Sequence, residues 1–472
     1  MSKYYLMPFN FCRLSNSNEL IINTIGDYLI LPNGTVKDII KRNIQKKKDS
    51  ELYLDLLSNF FISETPINPL IDAMAIRYRT KKESISNFTG LHIFAITLRC
   101  DHKCDYCQVS RQSQDFKEFD MSLEVIEKSI DLMLKSPNDC LTMEFQGGEP
   151  LLVFDKIKQS IEMTKLKNSV TNKKITYVIC TNLTHINNEI LRYCKDNSIL
   201  ISCSLDGPEF LHNYNRIYSN NSYKSTIAGL RLAQQFLGED RISALMTTTT
   251  KSLTFPLEII DEYRKNGLKN IFLRSINPYG YALRTQKNRY TTKQFVDFYK
   301  KALNYIISIN LRGEFFVEDY AKIILTKILT PFSLNYVDLQ SPSGIITGVV
   351  VYNRDGNVYA SDESRMLGEM GDGKFLLGNV ITDNYESIFY GSKSSMLSKY
   401  MCNEALAGCN RCPFQIYCGA DPVHNYATQG DLYGRRYSNA FCERNKAILT
   451  FLFELMNQDN DVFEIFKSWV LN

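Results

Sequence analysis

The chain has 472 residues, 44% of them hydrophobic and 22% charged, the balance of a soluble globular protein with two or three domains. Its 55 basic and 51 acidic residues leave a net charge of +4, too even to argue for a polyanionic partner, so no nucleic acid is expected, and the run Lys46, Lys47, Lys48 reads as a solvated surface. No apolar stretch approaches the roughly 20 residues that cross a bilayer. The opening MSKYYLMPFNF carries no small-residue cleavage site, so neither a membrane span nor a secretory signal is expected and the cytoplasm is the expected location.

In chain order, Met1 to Ser86 reads as a separate unit: strand-like Glu19 to Leu31, a turn at Pro32, Asn33 and Gly34, then helical Val36 to Ile44 and Glu51 to Phe61. From Leu91 the sequence alternates short apolar runs with amphipathic stretches, the pattern of strand–helix units around a parallel sheet. Six strands are predicted, Leu91 to Leu98, Leu141 to Gln146, Ile175 to Cys180, Ile199 to Ser204, Ile242 to Thr248 and Asn270 to Ile276, with helices such as Ser122 to Lys135 and Ser222 to Phe236 between them. The fold class is therefore α/β, a partial (β/α)6 TIM-like barrel over residues 87–310. Helices at Thr291 to Ile309 and Asp319 to Ile328 lead through a bridge, residues 311–343, to a cysteine-bearing region, residues 344–472.

Thirteen cysteines without a signal are not a disulfide framework. Three crowd at Cys100, Cys104 and Cys107 and four more fall at Cys409, Cys412, Cys418 and Cys442; Cys12, Cys140, Cys180, Cys194, Cys203 and Cys402 sit mostly in apolar segments and read as packing residues. In parallel barrels the active site gathers behind the strand C-termini. Here the first four strands run into RCDHKCDYC, QGGEP, the pair Thr181 and Asn182, and SLDGP. A zinc site closes its tetrahedron with four ligands, and the nearby fourth candidate, His102, lies inside the same tight loop. A cubane cluster held by three thiolates keeps one iron open. A methionine-like amine and carboxylate can chelate that iron and set a sulfonium beside the cluster.

On these residues the sequence resembles the radical S-adenosylmethionine superfamily. The CxxxCxxC motif is carried by Cys100, Cys104 and Cys107, with the aromatic residue before the last cysteine at Tyr106. Gly147, Gly148 and Glu149 match the family's GGE motif, which implies binding of the methionine amino group. The stretch SLDGPEFLHNYNR resembles peptide- and protein-modifying members, implying cofactor contacts from Ser204 and Arg216 and a turn shaped by Asp206.

A second resemblance, to the SPASM domain, rests on CNRCPFQIYC and Cys442. It implies an outer auxiliary four-iron cluster on Cys409, Cys412, Cys418 and Cys442, while zinc on the same ligands stays open, since spacing does not separate the two. The inner auxiliary cluster of two-cluster members is not expected, because its counted positions carry Ser361 and Pro422 and no cysteine lies between Cys203 and Cys402. The cofactors implied are thus one cluster at the adenosylmethionine site, S-adenosylmethionine itself and one auxiliary cluster. The carboxylate after Ser361, Asp362, stands where sulfatase-maturing enzymes place a catalytic one.

The opening YYLMPFNF followed by ELIINTIGDYLIL resembles maturases of His-Xaa-Ser peptide systems. This implies a precursor peptide as substrate, a second radical protein as partner and an external electron donor. The first 86 residues resemble small winged α+β domains that hold a leader peptide, here beside Leu20 to Leu31. The two rival readings are side-chain modification of a folded protein, as in sulfatase maturation, and a zinc-stapled interaction protein.

Overall fold

The computed structural model describes residues 4–14, 17–44, 50–219, 221–280, 282, 289–332, 334 and 336–471, so the run Lys46, Lys47, Lys48 lies outside the described residues. An α/β architecture is built on a central eight-stranded mixed sheet, accompanied by a small N-terminal sheet.

The N-terminal sheet is antiparallel, with Asn18–Asn23 between Phe9–Arg13 and Tyr28–Pro32. The strand-like stretch Glu19 to Leu31 is a pair of strands. Asn23 breaks it, its Oδ1 accepting the backbone N–H groups of Ile25 and Asp27 at 3.0 Å each. The central strand is buried on both faces: Ile21 points into a local core with Val36, Ile39, Tyr53, Leu56 and Phe61, while Leu20 and Ile22 join the main core. Both edges of Leu20 to Asn23 are therefore paired, and a peptide strand could add only at Phe9–Arg13 or Tyr28–Pro32. The Tyr28 ring packs edge-on against Phe453 of the C-terminal region at 4.9 Å. Helices Thr35–Ile40 and Glu51–Ser58 are shorter than predicted, and a long helix, Asn68–Ser86, follows them.

Five barrel strands fall close to their predicted places: Leu91–Thr97, Cys140–Gly147, Lys174–Thr181, Leu200–Ser204 and Ile242–Leu245, all parallel to their neighbours. Their outward residues, among them Phe94, Met143, Phe145, Ile179 and Ile201, pack on the apolar stripes of helices Leu123–Leu134 and Phe154–Thr171. Such burial is worth roughly 1.5–3 kcal/mol for each large side chain. The fifth strand stops early because the next amides leave the ladder: the Thr247 N–H donates to Asp206 Oδ1 at 3.3 Å.

The sixth strand is much shorter than predicted, Asn270–Ile271, paired with Val317–Glu318, and beyond it a bridge from Ser275 to Thr248 joins the segments that follow the sixth and fifth strands. Buried Glu318 captures the Leu273 N–H at 3.1 Å, and the Arg274 N–H turns back to the Phe272 carbonyl, so the ladder ends. On the other side of Leu91–Thr97 the sheet continues into Val349–Tyr352, parallel to it, and then the antiparallel strands Asn357–Tyr359 and Leu376–Asn379. The cysteine-bearing C-terminal region thus shares the barrel's sheet.

Among the described residues, no helix is long and apolar enough to cross a membrane.

Candidate active site

The C-terminal ends of the barrel strands open on a cavity of about 380 Å³ lined by Cys100, Cys104, Cys107, Tyr106, Gly147, Gly148, Glu149, Ser204 and Arg216, and by Asp362 from the C-terminal region. Every residue singled out in the barrel motifs except Asp206 lies on this wall, and Asp206, fully buried, stands just behind it.

The glycines of the GGE motif are required by the neighbouring strand. A Cβ on Gly147, whose φ is +132°, would meet the Thr97 carbonyl oxygen at 1.9 Å, and one on Gly148 would meet that of Arg99 at 2.1 Å. That contact lets the Gly148 and Glu149 N–H groups donate to the Thr97 and Arg99 carbonyls at 2.7 Å each. The GGE loop is in this way joined to the segment that carries Cys100. Glu149, 1% exposed, accepts from the Thr181 hydroxyl at 2.6 Å and from the Leu151 and Asn182 N–H groups at 3.0 and 2.8 Å. Three donors occupy most of a carboxylate's roughly four lone-pair directions. Burial nonetheless pushes its pKa up to about 7.

Beside the triplet, Asp101 is a second closed hub. Its carboxylate accepts from His102 Nδ1 at 2.8 Å, Asn182 Nδ2 at 2.8 Å, Thr184 Oγ1 at 2.7 Å and His185 Nε2 at 3.1 Å. Burial alone would raise its pKa, but the bonds from His102, His185 and Thr184 hold it well below the usual carboxylate range. His102 Nε2 pairs with Ser222 Oγ at 2.7 Å, and the ring stacks on Tyr218 at 4.7 Å. Ser222 Oγ also meets His212 Nε2 at 2.9 Å, and His212 Nδ1 accepts the Asp206 N–H at 3.3 Å.

That chain ends at a third hub. Asp206 accepts from the Tyr106 hydroxyl at 2.6 Å and from Arg216 at 3.1 and 3.2 Å, and the guanidinium lies 5.5 Å from the Tyr106 ring centre. Asp206 does more than shape a turn: it positions Tyr106 and Arg216 against the cysteine loop.

The donor set at the triplet fits a three-thiolate cluster. Cys100 Sγ accepts the His102 N–H at 3.4 Å. The Cys100 and Cys104 thiols are pushed up by burial, Cys104 to about 12 despite the opposing pull of Arg216. Such thiols stay protonated until a metal displaces the proton. With both ring nitrogens of His102 and both oxygens of Asp101 engaged, the loop supplies three thiols and no ready fourth ligand.

In the C-terminal region Cys409, Cys412 and Cys418 lie on one loop and Cys442 in the first turn of helix Ala440–Gln458, close enough to act on one another's charge. Burial raises Cys412 and Cys418 to about 11 each. Cys12, read from the sequence as packing, packs against the main core and lies close enough to Cys412 and Lys446 for their charges to act on it. Ser361, 1% exposed, is the N-cap of helix Asp362–Glu369, its Oγ accepting the Ser364 N–H at 3.2 Å. Pro422 opens helix Pro422–Gln429, whose N-cap Asp421 accepts the His424 N–H at 2.8 Å. Both positions counted for an inner-cluster cysteine are therefore helix starts. Asp362 is held by Arg365 at 3.0 Å.

The structure adds cavity residues that motif reading did not select: Glu144, Gln146, Cys180, Ser202, Arg274, Asp338 and Glu363. The signal for Glu144 and Gln146 was period two, which turns them to the barrel interior while Met143 and Phe145 face the helices.

Comparison with known proteins gives the class. Residues 94–250 match the family model described as the radical SAM superfamily. The cysteine-type anaerobic sulfatase-maturating enzyme of Clostridium perfringens is 23% identical over 329 residues, 68% of this chain and 84% of that one. Among solved structures, native anSMEcpe with bound AdoMet superposes with a TM-score of 0.66 at 19% identity, covering 80% of this chain and 99% of that one. SuiB of Streptococcus suis bound to the precursor peptide SuiA gives 0.54 at 14% identity, covering 93% and 100%. The chain is a radical SAM enzyme, related to the anaerobic sulfatase-maturating enzymes.

Proposed function

We propose that this enzyme modifies a ribosomally made peptide, and that the site residues act as their positions suggest. The observation that carries this reading is the shared cavity: Cys100, Cys104, Cys107, Glu149, Ser204 and Arg216 line it together with Asp362, which arrives from a separate part of the chain. A cluster on the three thiolates and S-adenosylmethionine, when bound, supply a hydrogen-abstracting radical. Glu149 offers its remaining acceptor position to an ammonium. Arg216, oriented by Asp206, offers a cation at the same wall, and Tyr106 packs the cysteine loop in place. Asp362 faces the cavity at a helix start and would take a proton from the substrate radical, whose electron would pass to the one-electron acceptor that an auxiliary cluster supplies. The helix caps at Ser361 and Pro422 favour one auxiliary cluster, on Cys409, Cys412, Cys418 and Cys442, with zinc the alternative there.

The open strand edge at Phe9–Arg13 offers an extended leader a place to add. Peptide-bound relatives support a peptide substrate, and the N-terminal sequence points to one with His-Xaa-Ser repeats, processed in the cytoplasm alongside a second radical protein. The test is anaerobic turnover with a precursor peptide encoded beside this gene, followed by mass spectrometry. A mass change in the peptide accompanied by 5′-deoxyadenosine supports the reading. Deoxyadenosine without a changed peptide, but with a changed folded protein partner, favours the sulfatase-maturation alternative.

A further inference from the structure

Away from the cysteine loop, the cavity wall carries four carboxylates, Glu144, Asp338, Asp362 and Glu363, with Arg274 among them. Two have cations: Asp362 pairs with Arg365 at 3.0 Å and Glu363 with Arg274 at 3.4 Å. Glu144 and Asp338 have none within 4.0 Å among the described residues. Glu144 accepts from the Gln146 amide and meets the Cys180 thiol, whereas Asp338 accepts no side-chain hydrogen bond from any described residue. The Tyr279 hydroxyl, on a residue 1% exposed, has no hydrogen-bond partner among the described residues, although Asp421, Glu363 and Asp338 are close enough to act on its charge. The same stretch of wall presents the rings of Phe272 and Tyr336.

From this geometry we infer that the cavity selects a substrate side chain bearing positive charge, a lysine, an arginine or a protonated histidine, held by Glu144 and Asp338 against the faces of Phe272 and Tyr336. Neither carboxylate has a cation at ion-pair distance among the described residues, with Arg274 acting on both and Arg444 on Asp338 only from farther off; such groups are costly in a low-dielectric wall, and an ammonium or guanidinium entering the cavity relieves that cost. The direction of their ionisation agrees: burial raises Glu144 against the pull of Gln146, Cys180 and Arg274, and burial followed by the charge of Asp421 raises Asp338 against the pull of Arg274 and Arg444. Aromatic faces add to the attraction for a cation, while a neutral or acidic side chain gains nothing from the carboxylates. Gln146 and Ser202, on the same wall, complete a polar surround of the kind that fixes a guest's orientation.

This inference rests on the peptide-modifying reading and is tested separately from it. The reconstituted full-length enzyme, with dithionite and S-adenosylmethionine, is given acetyl-Gly-Gly-Xaa-Gly-Gly-amide in which Xaa is perdeuterated lysine or perdeuterated norleucine, and deuterium in 5′-deoxyadenosine is measured. The lysine peptide should donate at least about tenfold more deuterium than norleucine, and the Glu144→Gln, Asp338→Asn double variant should erase the preference. Equal or greater donation from norleucine overturns the inference and leaves the peptide reading standing. Deuterium from neither overturns the inference, and the peptide reading is then decided by turnover of the precursor peptide itself. Iron content and melting temperature report folding of the double variant, and the single Glu144→Gln variant, expected to lose most of the preference, stands in where the double variant does not fold.

Discussion

Asp101 lies just behind the wall of the cavity and Glu144 lies in it, yet they are opposite cases. Asp101 takes four donors, from His102, Asn182, Thr184 and His185, and ties the cysteine loop to the segment after the third strand. Glu144 has an amide and a thiol for partners and, among the described residues, no cation at ion-pair distance. The cofactor side of the cavity is thus closed by hydrogen bonds before any ligand arrives, and the side reached by Asp362 is left with unbalanced charge. Preorganisation suits a cofactor bound the same way in every turnover; unspent polarity suits the recognition of an incoming group.

Gly148→Ala strikes the closed side hardest. With a Cβ 2.1 Å from the Arg99 carbonyl oxygen, the GGE loop and the cysteine segment must separate, at a cost of about 3 kcal/mol read from urea unfolding, and cleavage of S-adenosylmethionine should fall with it. Asp101→Asn should cost about 2 kcal/mol, since a charged acceptor of several buried bonds is lost. The matched change on the open side, Glu144→Gln, should be neutral or stabilising by up to about 1 kcal/mol, because it removes an unpaired buried charge. Equal destabilisation by these two variants would break the comparison.

Titration sharpens it further. Glu149 sits at about pH 7 in the free protein and must be ionised to face an ammonium. Affinity for S-adenosylmethionine should therefore weaken as pH falls below about 7, approaching tenfold per unit; a flat binding profile from about pH 8 to 6 would remove Glu149 from direct contact. A smaller effect belongs to the clamp between helix Asn68–Ser86 and the C-terminal region, where Glu404 accepts from Tyr78 and Lys82 at 2.7 Å each and from Ser341. Burial pushes the Glu404 pKa up, but the Lys82 charge and these bonds bring it down to about 2, below its unfolded value of about 4.3. Its contribution is whole above that unfolded value and is lost as pH falls towards about 2, so in urea unfolding Glu404→Gln should be less stable than wild type at neutral pH and the gap should close as pH falls from about 4 towards about 2.

Much of the barrel was legible because its strands are short apolar runs that end in chemically distinctive motifs, and strand-end motifs are where parallel barrels gather function. The place of the turn inside Glu19 to Leu31 was not legible, because it is built by one side chain, Asn23, and leaves little trace in an apolar run. The sixth strand was overextended because the group that ends it, Glu318, is remote in sequence. The pairing of Val349–Tyr352 with Leu91–Thr97 joins segments more than two hundred residues apart, and local pattern carries no signal for it. Motif reading found the residues that match a family and passed over Glu144 and Asp338, which stand out only for having no cation at ion-pair distance among the described residues.

The central claim, that the Cys100 loop rather than the C-terminal cysteines supports radical chemistry, is tested most directly by replacing Cys100, Cys104 and Cys107 together with alanine and measuring iron and 5′-deoxyadenosine after anaerobic reconstitution. Wild type should hold about eight irons per chain and the variant about four, with deoxyadenosine formed by the first and absent from the second. Deoxyadenosine produced by the triple variant would contradict the account.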